Sequence, residues 1–411
     1  MKKIILLALA AVVTTSALAE GYQVNSLSAK QLGMAHTGVS QKLDSESVWF
    51  NPAAAAFQQE RFTISASVTG VSAFVTYKND GNYAESDNKL STPISLTANY
   101  KITDDLAVGL VFNTPYGSSM NWGDDWIGMS EVQNISLSAY NIQPTISYNF
   151  FCDKLSVGAG LMISWGSFDL SKSMVSQAAT ATYGTCNATL SGDAAIAYGI
   201  NVGLFYDINK SWSIGASYRS KMKMAVSEGT TSLDFDLDAV KDYYSFMESN
   251  NFSAELPMPS TLSAGVTYHP TKAWTISAEV QRVGWSTYEE LEFDWDVEGL
   301  EPSSAQKDYS NTMIYRLGAQ YDALDWLTAR AGIYFDQSPV QDEYFTPETP
   351  SMDKLGYTCG VSLRPCSSFS IDLAYAYLVP ASYDRTSSYS DLSGTYRAVA
   401  NIFSLGLSWG F

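Results

Sequence analysis

Apolar and polar residues alternate with period two along most of this chain. From Trp274, the residues Trp274, Ile276, Ala278 and Val280 fall on one face, and Thr275, Ser277, Glu279 and Gln281 on the other. From Phe369, the row Phe369, Ile371, Leu373, Tyr375 and Tyr377 opposes Ser370, Asp372, Ala374 and Ala376, and the last run carries Phe403, Leu405, Leu407, Trp409 and Phe411 on one side. Successive side chains of a β-strand point to opposite faces, so this pattern predicts strands with an apolar medium on one side and water on the other. Six times an alternating run ends at Tyr or Leu, passes through a short polar turn and restarts on a bulky apolar residue: Tyr100 to Leu106, Tyr148 to Leu155, Tyr206 to Trp212, Tyr268 to Trp274, Tyr321 to Trp326 and Leu363 to Phe369. These turns carry KITDD, DINKS, HPTKA and DALD, rich in turn-forming residues, whereas the segments between them are longer and irregular. The count is seven hairpins, hence fourteen strands.

Composition decides which apolar medium is meant. Lys2 and Lys3, the apolar run Ile4 to Val13 and Ala17-Leu18-Ala19 read as a secretory signal peptide cut before Glu20, which is not Cys and so carries no lipid anchor. Removing Lys2 and Lys3 leaves 22 basic against 42 acidic residues, a formal charge of −20 that argues against nucleic acid as a partner. Beyond residue 19 no apolar run reaches the ~18 residues of a membrane helix, so a membrane protein of this composition spans with strands. A soluble β-sandwich alternates too. The export signal, the aromatic residues flanking the short turns and the terminal Phe411 favour the membrane. Short turns at one end and long loops at the other mark an outer-membrane barrel, whose closure leaves no strand edge in lipid. The expected architecture is all-β: a 14-stranded transmembrane antiparallel β-barrel with an N-terminal hatch inside the lumen, divided as signal peptide 1–19, hatch 20–60 and barrel 61–411. Cys152, Cys186, Cys359 and Cys366 have no metal-ligand spacing and are expected to be structurally minor.

The stretch VWFNPAAAAF, Val48 to Phe57, breaks the pattern, because Asn51-Pro52 cannot lie in a central strand. It starts either a turn into the first strand or a different element. Together with GYQVNSLSAKQLGMAHTGVS from Gly21, PMPSTLSAGVTYHPTKAWTISAEVQRVGWSTYEEL from Pro257 and YRLGAQYDALDWLTARAGIYFDQSPV from Tyr315, in that order, it resembles the FadL/TodX family of outer-membrane transporters for hydrophobic compounds. The resemblance covers essentially the whole chain after the signal and implies a fourteen-stranded barrel. It also implies a hatch whose Asn-Pro-Ala element, here Asn51, Pro52 and Ala53, closes the wall near an inward kink of the third strand, around GLVFNTPYG from Gly109. Gly33 and Gly38 are expected to give the hatch its tight bends.

The family's ligands, fatty acids or aromatic hydrocarbons, imply passive uptake: capture by outer loops, binding in the lumen and exit through the wall, driven by ~0.8 kcal/mol per buried CH₂. Leu233, Leu237, Val240, Tyr244 and Met247 recur at helical spacing in the long segment Ser227 to Ser260, and form either a ligand groove or a plain amphipathic loop helix. Glu279, Arg316 and Arg330 are expected to share one height on three consecutive strands, as lumen contacts for a carboxylate or as a brace of the wall. The seven carboxylates between Glu289 and Glu301 lack calcium-loop spacing and read as a solvated loop, able to bridge divalent ions to lipopolysaccharide. The two histidines, His36 and His269, are not placed to activate a serine, so no enzyme is expected, and neither cofactor nor metal. The other partners expected are outer-membrane lipid, lipopolysaccharide and the barrel assembly machinery, for a monomer. A general porin or a surface adhesin on the same scaffold is the alternative.

Overall fold

A computed structural model describes residues 21–411 apart from 80, 151–153, 238–240, 242–243, 245–250, 298, 381–383 and 386–391. The expected signal peptide lies outside the described residues. The alternating runs form strands β1 (Phe62–Asn79), β2 (Ile94–Lys101), β3 (Leu106–Asn121), β4 (Asn134–Phe150), β5 (Leu155–Ser173), β6 (Cys186–Asn209) and β7 (Trp212–Arg219). The second half supplies β8 (Thr261–Thr271), β9 (Trp274–Val283), β10 (Thr312–Leu324), β11 (Leu327–Asp336), β12 (Lys354–Cys366), β13 (Phe369–Pro380) and β14 (Gly394–Gly410). Each pairs antiparallel with the next, and β1 pairs with β14 from Thr63 opposite Gly410 to Lys78 opposite Thr395, which closes a fourteen-stranded barrel.

The pattern in the sequence becomes two surfaces. Leu110, Ile146, Leu161, Leu204, Leu317 and Leu405 face outward and are about half exposed, while Ser65, Thr97, Asn141, Ser217, Thr267 and Ser277 face inward and are buried. Apolar outside and polar inside is the requirement of a barrel in lipid. Stacked or tilted ring pairs, Trp212 with Tyr268 at 4.3 Å and Trp274 with Tyr321 at 4.7 Å, lie by the short turns as an interfacial girdle.

At the long-loop end the wall continues as a side sheet. Cys186–Ser191 of β6 pairs with the strand Met222–Phe235, which pairs with Asn251–Met258, and this in turn with Glu290–Trp295 and then Ser303–Gln306. Two expectations are corrected here. Leu233 lies on a strand opposite Ala188, not on a helix, because strand pairing to β6 overrides the local 3.6-residue spacing. The acidic stretch from Glu289 is solvated as expected, with Glu289, Glu290, Glu292, Asp294 and Asp296 exposed, but Glu290–Trp295 is a strand of a hairpin and not a loop, since the alternation Leu291, Phe293, Trp295 gives it an apolar face to bury.

Candidate ligand path between hatch and wall

Residues 21–57 fill the lumen and bond to the wall almost directly. Ser28 caps the short helix α1 (Ala29–Gly33) by accepting from Gln31 N. Asn51 caps the 3₁₀ turn Pro52–Phe57: its Oδ1 accepts from Ala53 N at 3.1 Å, and its Nδ2 donates to Val39 O at 2.7 Å and to Leu204 O of β6 at 3.0 Å. Proline at the first helical position costs nothing there, because that N–H is unpaired in any case. The alanines that follow are all buried, and side chains of the wall serve their carbonyls: Ser156 donates to Ala53 O, Asn99 to Ala55 O and Asn149 to Ala56 O. Small hatch residues allow this approach, and so do glycines of the wall. A Cβ at Gly158 would come within 2.5 Å of Ala53 N, one at Gly203 within 2.9 Å of the same atom, one at Gly215 within 3.0 Å of Asn51 Nδ2, and one at Gly332 within 2.8 Å of Ala35 Cβ.

This geometry corrects two expectations. Asn51-Pro52-Ala53 seats on β5 and β6, not beside β3, where Val48 instead fits against Gly109. The hatch bends in the left-handed region at Gly21, Ala35, His36 and Asp44, with φ of 61°, 53°, 63° and 51°, and not at Gly33 or Gly38, which serve close approach to Gly360 and to the Phe50 ring. Sequence-based assignment of bends to glycine assumes that backbone freedom is the reason for the residue, whereas at Gly33 and Gly38 it is space.

The third strand is bulged. Asn113 opposes Asn141 and Tyr116 opposes Ala139, so Thr114 and Pro115 together face Tyr140 of β4. The alternation of burial stops there, and residues 113–118 are buried on both faces. Pairing of β3 with β2 ends at Ser95–Asn113. Above it the hatch takes the bonds: Val24 N donates to Pro115 O at 2.9 Å and Gly117 N to Tyr22 O at 2.8 Å. The segment 86–93 leans on β1 through Val71 and Ser91 and meets β3 at Asp87 N to Asn121 O, while Ile94 N of β2 donates to Thr114 Oγ1.

Above this junction lies a narrow cavity of about 70 Å³. Leu137, Phe168 and Leu170 of β4 and β5 line it with Met224, Val226 and Leu256 of the side sheet, and Tyr22 forms its floor. The Tyr22 ring stands edge-on to Trp285 at 4.8 Å and to Tyr288 at 5.8 Å, and its hydroxyl donates to Pro257 O. Below the hatch the space differs in kind: about 590 Å³ at the short-turn end, lined by Lys30, Lys42, Asp44, Asp207, Lys210 and Arg364 among other polar residues.

The three expected lumen charges do not share a height. Glu279 and Arg316 are opposite in register, joined by a 2.8 Å ion pair, with Arg316 Nη2 also on Gln281 Oε1 and Glu279 Oε2 accepting from Val39 N at 3.0 Å. Arg330 lies opposite Gln320, four residues nearer the short turns than Tyr334, the partner of Arg316. It bonds Gln320 and Ser362 and stands 3.7 Å from Asp372. Lys30 of α1 joins this lower group, 3.5 Å from Asp44 and 4.0 Å from Asp372. Burial pushes the neighbouring Glu46 carboxyl up to about 7, with Lys30 opposing the shift. His36 is buried edge-on to Tyr334, and burial, then the Arg316 charge, pushes its imidazole down to about 3. His269 bonds Thr275 at the short-turn end, far along β8 from it.

Of the groove residues, Leu233 is half-buried near Val175 and Cys186, the Tyr244 hydroxyl donates to Met174 O, Leu237 is exposed, and Val240 and Met247 lie outside the described residues. Cys186, Cys359 and Cys366 are free, and Cys152 lies outside the described residues. Two features carried no signal by themselves in the sequence: the cavity, and Arg219, whose guanidinium lies 4.2 Å over the Trp49 ring. The inward parity of Arg219 in WSIGASYR was the available clue.

Comparison with known proteins agrees with this architecture. The profile of the family described as outer membrane protein transport protein (OMPP1/FadL/TodX) matches residues 10–411. The chain is 25% identical to a 47 kDa outer membrane protein of Pasteurella multocida, over 98% of this chain and 96% of that one. It is 24% identical to a long-chain fatty acid transport protein of Escherichia coli O6:H1, over 90% and 89%. Among solved structures, a Pseudomonas aeruginosa FadL homologue superposes with a TM-score of 0.79 at 19% identity, covering 95% of this chain and all of that one. The Ralstonia pickettii toluene transporter TbuX does so with 0.70 at 18%, covering 95% and 99%. The chain belongs to the OMPP1/FadL/TodX family: it is an outer-membrane transport barrel and not an enzyme.

Proposed function

We propose that this barrel carries hydrophobic compounds passively, long-chain fatty acids or single-ring aromatics being the candidate classes, since relatives are named for both. Ligand leaves water at the outer side sheet, enters the apolar cavity above Tyr22 and exits sideways between β3 and the segment 86–93. The observation that carries this reading is the third strand, whose edge facing β2 is bonded above Asn113 to the hatch and not to β2. The polar space beneath the hatch supports it, because an apolar solute gains nothing by passing there. Asn51, Pro52 and Ala53 act at one remove, by anchoring the hatch to β5 and β6. Arg316 and Arg330 brace the wall, each already facing a carboxylate. A general porin is disfavoured by the buried residues 21–57 lying in the lumen, where an aqueous channel would need open space.

The test is a tether. Gln23 and Tyr116 are bridge partners of hatch and β3, so Gln23→Cys with Tyr116→Cys, in a chain stripped of its native cysteines, should form a disulfide. The oxidised protein should lose uptake of apolar ligands and recover it on reduction. Uptake that persists in the verified crosslinked form would mean exit through the periplasmic end.

A further inference from the structure

Between hatch and wall, at the height of the Glu279–Arg316 pair, is a third and much smaller space of about 20 Å³, faced by His36 and Trp49 from the hatch and by Arg219, Ser263 and Arg316 from the wall. Its polar groups are nearly all donors left over. Arg219 is 9% exposed, its guanidinium lies over the Trp49 ring, and its Nε has no hydrogen-bond partner among the described residues. Arg316 spends its two terminal nitrogens on Glu279 and Gln281, while its Nε has no partner. Neither ring nitrogen of His36 has one. Ser263 Oγ accepts from Gln281, which leaves its own O–H to donate. Of the acceptors, both oxygens of Glu279 are bonded, one to Arg316 and the other to Val39 N, and the neutral His36 ring keeps one unpartnered acceptor nitrogen beside its N–H.

The charges do not balance either. The ionised groups that face one another here are Arg219, Arg316 and Glu279, a buried excess of one positive charge, with His36 neutral. A buried charge without a counter-charge is costly, and a water molecule would supply hydrogen bonds but no charge. The volume exceeds the roughly 10–15 Å³ that one water needs, yet is far too small for an acyl headgroup together with its chain.

We infer that the space between His36, Arg219 and Arg316 binds one chloride-sized anion, which joins hatch to wall. The anion takes hydrogen bonds from the Nε groups of both arginines and from one nitrogen of His36, and so ties a hatch residue to β7 and β10 at once. It is a structural ion, distinct from any carboxylate of the transported ligand, and it stands whether that ligand exits sideways or downward.

Crystals of the full mature protein grown with bromide in place of chloride should show one anomalous peak among Arg219, Arg316 and His36. A peak without bromide signal, as from water, overturns the inference, and so does an ordered carboxylate in that position. In detergent solution, the apparent unfolding temperature in chloride should exceed that in gluconate at equal ionic strength by at least roughly 2 °C, and Arg219→Met should abolish the difference. Equal temperatures in the two salts for the unaltered chain overturn it. If Arg219→Met does not fold, the bromide measurement decides alone.

Discussion

Replacing Asn51 by alanine should loosen the hatch without opening the barrel. The fully buried Asn51 amide makes three bonds: it caps Ala53 N at 3.1 Å and donates to Val39 O at 2.7 Å and Leu204 O at 3.0 Å. Two of these stay within the hatch and hold its halves together, and the third ties it to β6. At about 1 kcal/mol per bond the loss is about 3 kcal/mol. With 1.4 kcal/mol per factor of ten, the equilibrium for local release of residues 39–57 should rise by about a hundred-fold. The barrel ladder takes no part, since closure rests on β1 and β14. Hydrogen exchange on the mature protein in micelles, read by mass on peptides of the hatch, measures this directly, and the strands serve as the internal control. Asn51→Asp keeps the cap but loses both donated bonds and sets a carboxylate against two carbonyl oxygens, so it should be at least as damaging. Exchange in Asn51→Ala indistinguishable from the parent would refute the claim that this side chain holds the hatch.

Deleting Phe411 removes both of its backbone bonds to Phe62, at 2.9 and 3.0 Å, and a ring contact of 5.3 Å at the barrel seam; assembly into the outer membrane should fall while export is unaffected, as fractionation would show. Glu279→Gln should cost about 3–5 kcal/mol by leaving Arg316 without its carboxylate, whereas Glu279→Gln with Arg316→Met should restore much of that, as unfolding temperatures in detergent would report. Glu46 gives a pH dependence. Its carboxyl holds its proton up to about 7 in the seated hatch against an ordinary value of 4.5, so the seated state binds more protons than the released one. Seating is therefore strongest below about pH 4.5 and weakens through about pH 7, by at most about 3 kcal/mol. Hatch exchange, corrected for its intrinsic rate, should be faster at pH 8 than at pH 5.5, and Glu46→Gln should remove the difference.

The strands were legible because lipid outside and water inside impose one rule on every residue, and the run from Trp274 to Gln281 obeys it without exception. Legibility ended wherever neither medium sets the rule. Residues 113–118 of β3 touch protein on both faces, so GLVFNTPYG reads either as a distortion of the strand or as its end, and the contacts that decide for the bulge, with Tyr22 and Val24, are distant along the chain. Leu233 reads as helical because local spacing is all a sequence exposes, while its deciding contact is with Ala188, distant along the chain; Tyr244 of the same pattern is helical. Counting from the turns sets Arg330 level with Arg316, whereas strand register sets it four residues lower. Asn51-Pro52 was recognisable as a non-strand element, but its seat depends on Gly158 and Gly203, whose lack of side chains looked in the sequence like ordinary strand glycine.

Those wall glycines bear on biogenesis. At Gly158, Gly203, Gly215, Gly318, Gly332 and Gly360 the bore is relieved of side chains where the hatch runs, while residues above and below still project inward. A plug lodged in such a waist is retained along the axis as a gasket is by its groove. Threading it through either mouth of a finished cylinder would mean forcing it past those projections. The wall must then wrap around the hatch, and the order of the chain suits this, with the plug emerging first and the seam at β14 last. A barrel made without residues 21–57 should accordingly fail to take up the same segment added later as a separate peptide, and ready docking in that experiment would show that the cylinder can open after it has closed.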